Sequence, residues 1–459
     1  MTRLGGPSFW YADAGLPALR PALQGDCTVD VAIIGAGYTG LWAAWYLRKA
    51  DPTLNILLIE KNFAGFGASG RNGGWLTGGF AWSHARYAKT HGEAATRAMV
   101  AAMNGTVDEV LAVAAAEGIE ADIYPTDELM VATNPAQLAR LRAEVVHRRH
   151  WGEADRVREI GAAEAMGRVA VPGTLGGMIV EGVARVQPAK LVQGLAQAVE
   201  RAGARIVEQT EVLSYGPGQV TTTRGIVQAG VILRATEGFT AGLPGHRRDW
   251  LALNSAQIVT EPLPPALWDQ IGWQGHEILG DFANAYCYCQ RTREGRIAVG
   301  GRGVPYRFGN GTDREGVPDP ETLRRLTTIL HRHFPAARDA RIDHGWCGVL
   351  AVPRDWCASL GFDRATGLGF AGGYVGVGVS TSNLAGRTLA DLVTGQDSAL
   401  VHLPWVNRQT RKWEPEPLRW LGVRGMYALL NTADRREAAL GLPKTSAFAR
   451  LGNWMTGRG

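Results

Sequence analysis

Residues 29–40 read VDVAIIGAGYTG, and the fold turns on this stretch. VDVAII is an apolar, β-branched run of strand length. LWAAWYLRKA, which begins at Leu41, has a helical pattern that Asp51-Pro52 ends. Gly35, Gly37 and Gly40 therefore fall between a strand and a helix. In that setting the first glycine permits the tight turn and the second lets the backbone approach a pyrophosphate. The third allows helix and strand to pack closely. Ala36, Tyr38 and Thr39 share the turn. The helix start there presents free N–H groups and a partial positive charge to phosphate. A tight strand–helix turn without a ligand is the competing reading.

The next strand, NILLIE, ends at Glu60 and is followed by Lys61. An acidic side chain about twenty residues past the third glycine accepts hydrogen bonds from ribose hydroxyls. A ligand-free turn gives no reason for Glu60. An acid there also favours an adenosine without a 2′-phosphate. A second glycine-rich loop, GASGRNGG at 67–74, comes soon after. A simple nicotinamide enzyme has no need of it. A longer dinucleotide, held extended and gripped far from its adenine, does. Gly67, Ala68, Ser69, Gly73 and Gly74 bring backbone N–H groups close, while Arg71 and Asn72 add side-chain donors.

With these motifs the chain resembles the D-amino-acid-oxidase-like FAD superfamily, which includes glycine oxidase and sarcosine oxidase. Within it, the chain is most similar to the bacterial γ-glutamylputrescine oxidoreductase branch, where an S-G-R-N-G-G stretch follows the acidic strand end. The resemblance covers most of the chain. GVARVQPAKLVQGLAQAVERAGARIVEQTEV (182–212) is similar to the family's middle segment, which implies that Val212 meets adenine through backbone atoms. VILRATEGFT (231–240) is similar to the strand and small-residue turn, here Ala235 and Thr236, that closes under the dinucleotide. TGLGFAGGYVGVGVSTSNLAGRTLADLVTG (366–395) reads as strand, glycine loop and helix. Gly372, Gly373, Tyr374, Val375, Gly376 and Gly378 are expected at the flavin. Ser380, Thr381 or Ser382 is expected to cap a helix whose N-terminus stabilises negative charge on reduced flavin.

The resemblance implies FAD-dependent oxidation of a small primary or secondary amine, such as a γ-glutamylated polyamine or an amino acid. Hydride leaves the neutral amine for flavin N5, and water hydrolyses the resulting imine. No obligatory side-chain base follows. Oxidation of another small substrate such as a 2-hydroxy acid, and a noncatalytic flavin-binding partner protein, stay open. Sarcosine-oxidase-like members use a lysine for oxygen activation, and the comparable stretch RIAVGGRG (296–303) has none. The electron acceptor is therefore oxygen or another molecule. Cys347 lies near the place where some members tether flavin, but Gly348 takes the tethering position. Noncovalent FAD is expected.

The resulting fold class is α/β within an α+β whole. A discontinuous Rossmann-like FAD-binding domain (25–90, 165–245 and 340–398) joins a substrate domain (91–164 and 246–339) and a C-terminal helical tail (399–459). Residues 91–165 read as helical and 246–340 as antiparallel strands. Tyr286 and Tyr288 share one face of a strand, with Cys287 and Cys289 on the other. With Arg302, His344, Trp346, Arg354 and Tyr374 they are candidates for the substrate wall, where an arginine takes a carboxylate bidentately. Plain core or surface roles compete for each.

The remaining features exclude more than they assign. A chain of 459 residues, 46% hydrophobic, carries several cores. A net charge of +5 with dispersed arginines argues against nucleic acid. The five cysteines lack both a disulfide framework and zinc spacing, so a reducing compartment and no metal are expected. MTRLGGPSFW has no apolar leader and no apolar run reaches membrane-spanning length, which suggests a cytoplasmic protein. The helix-like tail 413–437 is expected to dock on the protein itself, with a membrane surface or a dimer contact as alternatives.

Overall fold

The computed structural model describes residues 3–301, 306–312 and 315–456. Its smaller sheet grows from the opening motif. Cys27–Ile34 pairs in parallel with Ile56–Ile59 on one side and Ile226–Arg234 on the other. Arg205–Val207 and Leu368–Gly372 extend it in parallel, and Ser359–Asp363 closes one edge antiparallel. Strands buried on both faces need continuous apolar sequence, and all four residues of Ile56–Ile59 are buried. Helix Tyr38–Ala50 packs on this sheet beside helix Gly378–Thr394. A Cβ on Gly386 would lie 2.6 Å from Trp42 Cβ, so these two helices meet in backbone-close contact.

The larger sheet is mixed but mostly antiparallel. Across it run Arg3–Leu4, Ile342–Pro353, Trp250–Thr260, Ile297–Gly301, Cys287–Arg291, Ile278–Asp281, Tyr124–Ala132, Gly176–Arg185 and Trp75–Leu76, with Val157–Gly161 beside Gly176–Arg185. The expected antiparallel pairing of 246–340 is present. Two expectations need correction. Residues 91–165 are not all helix, because Tyr124–Ala132 and Val157–Gly161 pair with Gly176–Arg185. Gly176–Arg185 and Ile342–Pro353, placed by sequence with the FAD-binding segments, belong to the larger sheet. Periodicity identifies a strand but carries no information about its partner.

Helix His84–Ala116 is long and apolar enough to cross a membrane, but half of its apolar window is buried in the chain's own core. It is kinked at Gly92, where φ is +82°. Helix Leu418–Leu440 docks on the rest of the chain. Val423, Met426, Tyr427 and Leu430 are buried, Arg140 Nη1 pairs with Glu437 at 2.8 Å, and Asn284 bonds Asp434. Leu421, on the opposite side of that helix, is exposed.

Candidate active site

A cavity of about 1050 Å³ opens at the carboxyl ends of Cys27–Ile34 and Ile56–Ile59 and runs to the larger sheet. This is where open α/β sheets bind ligands. Each of the three glycine loops contributes to its wall. From the first come Gly35, Gly37, Tyr38 and Thr39. Gly67, Ala68, Ser69, Arg71, Asn72 and Gly73 come from the second, and Tyr374, Gly376 and Gly378 from the third. Glu60, Lys61, Val212, Ala235, Thr236, Gly348, Tyr286 and Tyr288 line it too.

The first loop has the geometry expected of it. Gly35 sits at φ +100°, and a Cβ there would lie 2.8 Å from Ala235 O. Gly40 does not face the cavity: a Cβ on it would lie 2.1 Å from Gly35 O. It is the close-packing glycine. Gly37 caps helix Tyr38–Ala50 without a side chain, and Tyr38 N–H donates to Ser69 Oγ at 2.8 Å. Glu60 accepts the amides of Ala36 and Asn62 at 3.0 Å each. Burial raises its carboxyl above the usual range, and those amides oppose the shift. Ala36 itself does not line the cavity.

The second loop is held from behind. Arg71 is buried, its Nε donates to Phe66 O at 2.7 Å, and its Nη1 reaches Cys347 O at 3.4 Å. Asn72 Nδ2 donates to Ser69 O at 2.8 Å, while its Oδ1 accepts Gly74 N–H at 2.8 Å. These polar groups therefore shape the loop as well as facing the cavity. Gly74 lies behind it, against Gln290.

The third loop departs most from expectation. Gly372 and Gly373 approach Trp250 and Pro353, not the cavity, and Val375 sits at φ +57° outside it. Helix Gly378–Thr394 has no side-chain cap; Ser380, Thr381 and Ser382 lie within it and donate to nearby carbonyls. Its uncapped start still faces the cavity through Gly376 to Val379. Tyr374, nearly fully buried, shares a 2.9 Å hydrogen bond with Thr39 Oγ1.

What holds this loop is Glu237, which the sequence reading passed over. Its carboxylate accepts the amides of Gly373 at 2.9 Å, Ala351 at 3.1 Å and Tyr374 at 3.3 Å. Burial pushes the group up to about 7, against those three amides. Gln257 was also missed; its Nε2 donates to Arg71 O at 2.7 Å at the cavity wall. No one-dimensional signal marks either residue, since both act on partners far away in the chain.

The substrate-wall candidates separate. Tyr286 and Tyr288 face the cavity, and Tyr288 Oη meets Ser255 Oγ at 2.9 Å. Cys287 and Cys289 are buried on the opposite face. His344 and Trp346 do not line the cavity. His344 Nε2 bonds Gly5 O at 2.6 Å, and Trp346 Nε1 donates to Arg71 O at 2.9 Å, in a cluster with Phe9 and Trp10. Arg354 pairs with Glu414 at 3.0 Å, outside the cavity lining. Arg302 lies outside the described residues. Gly348 faces the cavity, whereas the Cys347 thiol turns to Val317 O at 3.7 Å.

Three glycine loops with little side-chain bulk, two helix starts whose N-cap residues offer no side-chain cap, and an acid at the second strand end suit an extended dinucleotide by shape and donor chemistry. Away from this cavity, Asp281, Cys287 and His333 each bring one ligand atom to within 4.8 Å of the others. His333 Nε2 lies 3.4 Å from Asp281 Oδ2, so an ion pair accounts for the cluster without a metal.

The fold and this cavity are those of a dinucleotide-binding enzyme, and the family match makes it a flavoenzyme. The chain belongs to the FAD dependent oxidoreductase family (DAO), whose model matches residues 30–392. It is 28% identical over 395 residues to the gamma-glutamylputrescine oxidoreductase of Escherichia coli K12, covering 84% of this chain and 89% of that one. It is 26% identical over 389 residues to glycine oxidase of Geobacillus kaustophilus, covering 82% and 96%. Among solved structures, L-proline dehydrogenase from P. horikoshii superposes with a TM-score of 0.69 at 20% identity, over 84% of this chain and 98% of that one.

Proposed function

We propose that this enzyme oxidises a small primary or secondary amine, with a γ-glutamylated polyamine as the favoured class, and binds its FAD without a covalent link. The carrying observation is the single cavity that joins the three glycine loops to the Tyr286–Tyr288 wall. The names of the relatives, an oxidoreductase of gamma-glutamylputrescine and a glycine oxidase, support an amine as substrate.

Bound FAD supplies the redox chemistry, accepting the two electrons and the hydrogen that leave the carbon next to nitrogen. The chain does the rest. Tyr286 and Tyr288 shield the reacting carbon from water, and Ser255 fixes the Tyr288 ring. Tyr374, held by Thr39, closes the wall at the third loop. The start of helix Gly378–Thr394, which has no side-chain cap and lines the cavity, would favour negative charge on the group bound there. The substrate amine, having lost the two electrons, its α-hydrogen and one N–H proton, becomes an imine, which water hydrolyses to a carbonyl compound and a smaller amine or ammonia. Because the Cys347 thiol points away from the cavity, acid precipitation should release the flavin into the supernatant.

The test is anaerobic bleaching of the purified yellow holoenzyme by a panel of amines, amino acids and 2-hydroxy acids, followed by admission of air. Bleaching by amines supports the reading, and bleaching by hydroxy acids alone overturns it. Recovery of colour in air identifies oxygen as an acceptor. Lys61, the lysine among the cavity-lining residues, follows Glu60 at the end of Ile56–Ile59 and is paired with Glu211.

A further inference from the structure

Resting on that reading, we propose that Glu128 and Arg148 form a subsite for a zwitterionic head group of the substrate. The head is an ammonium beside a carboxylate, distinct from the nitrogen that is oxidised. Strand Tyr124–Ala132 brings Glu128 to the cavity wall, and the last turn of helix Pro135–Arg148 brings Arg148. Neither takes part in shaping the glycine loops. Met130, Phe80 and Thr77 complete this part of the wall. Thr77 links it to the third loop, since Ser380 Oγ donates to Thr77 O at 2.6 Å.

Both groups keep unused bonding capacity. Thr77 Oγ1 donates to Glu128 Oε2 at 3.1 Å, and Oε1 receives no hydrogen bond from the described residues. Arg148 Nε donates to Glu144 at 2.9 Å and Nη1 is buried 4.0 Å from Glu153 Oε1, while Nη2 makes no hydrogen bond to the described residues. Glu153 Oε1 accepts Asn104 Nδ2 at 3.2 Å, its Oε2 is buried without a hydrogen bond, and its charge favours the Arg148 cation. Burial lifts the Glu128 carboxyl above its ordinary range, and Arg148 opposes the shift. His84 adds no cation, because burial and the neighbouring His147 and Arg148 hold it down at about 3.

Glu128, Glu144 and Glu153 offset the charge of Arg148, but Glu128 and Arg148 line the cavity with hydrogen-bonding atoms left over, and a ligand of opposite polarity at each would take them up. An amine resting on Glu128 keeps its proton, and so lacks the lone pair that C–H oxidation requires. The nitrogen held there is therefore a second one. A carboxylate next to it satisfies Arg148 through charge-assisted hydrogen bonds.

Four N-acylputrescines with the same reacting amine test this on the holoenzyme. The acyl groups are γ-glutamyl (ammonium and carboxylate), glutaryl (carboxylate alone), 4-aminobutyryl (ammonium alone) and butyryl (neither). Anaerobic flavin reduction should give a kcat/KM for the γ-glutamyl compound at least about tenfold above the butyryl compound, with the gain in KM. Glu128→Gln should abolish the gain from the ammonium, and Arg148→Gln the gain from the carboxylate, with flavin content as the check on folding. Equal rates for all four in the wild-type enzyme overturn the subsite, whatever the variants do. A uniform loss across the four in either variant overturns it as well. No bleaching by any of them, with bleaching by hydroxy acids, instead removes the amine reading on which the subsite rests.

Discussion

The carboxylate of Glu237 accepts the amide of Gly373 at 2.9 Å, across 136 residues of sequence. This bond ties the turn after Ile226–Arg234 to the loop that leads into helix Gly378–Thr394. The same carboxylate holds Ala351, on the strand that supplies Gly348.

Glu237→Ala leaves three buried amides without their acceptor. Each lost bond of this kind costs about 1–3 kcal/mol, so three together cost several kcal/mol and FAD affinity should fall by at least about 100-fold. Flavin-fluorescence titration of the apoprotein measures this. Wild-type affinity in the variant would show that the third loop holds its shape unaided.

Gly40→Ala places a methyl group 2.1 Å from Gly35 O, where only backbone can yield. Such overpacking costs about 1–3 kcal/mol, and thermal unfolding should shift down by several degrees. FAD binding should weaken in parallel, since Gly35 moves with the turn. A stability equal to the parent would mean that the strand–helix contact is looser than its geometry.

Tyr288→Phe removes the bond to Ser255 but keeps the ring. A net loss of about 1 kcal/mol is expected, read as a roughly fivefold lower kcat/KM for the amine with flavin content retained. A drop in flavin content with unchanged kinetics would reassign Tyr288 from the substrate wall to support of Gly73, against which its ring packs.

His333 sets a pH dependence. Burial disfavours the charged ring, yet Cys287 and Asp281 outweigh it and hold its pKa at about 10, against an ordinary 6.5. The folded chain thus keeps a proton that the unfolded chain releases between those values. The stabilisation is complete below about 6.5 and is lost as pH rises towards about 10. Unfolding temperatures of the wild type should fall across that window, and His333→Gln should flatten the fall. An equally steep fall in the variant would place the titrating group elsewhere.

Much of the dinucleotide half was legible beforehand. Gly35, Gly37, Gly40 and Glu60 are recognisable because their spacing encodes a local strand–turn–helix–strand path. The alternation of Tyr286, Cys287, Tyr288 and Cys289 placed two rings on one face for the same reason. Reading Gly372 and Gly373 as cavity glycines, or Ser380 as a helix cap, went wrong where a one-residue shift in a loop changes what it faces. His344 and Trp346 had the right composition for a wall but point into the packing behind the second loop.

The sequence by itself determined the βαβ unit, the class of cofactor and the positions of the three glycine loops, because each depends on neighbours a few residues away. Only the tertiary structure decided the pairing of Gly176–Arg185 in the larger sheet, the grip of Glu237 on the third loop, and the placing of Glu128 and Arg148 on the wall of one cavity. Those relationships join distant segments through packing and buried charge, and no local pattern in the chain records them.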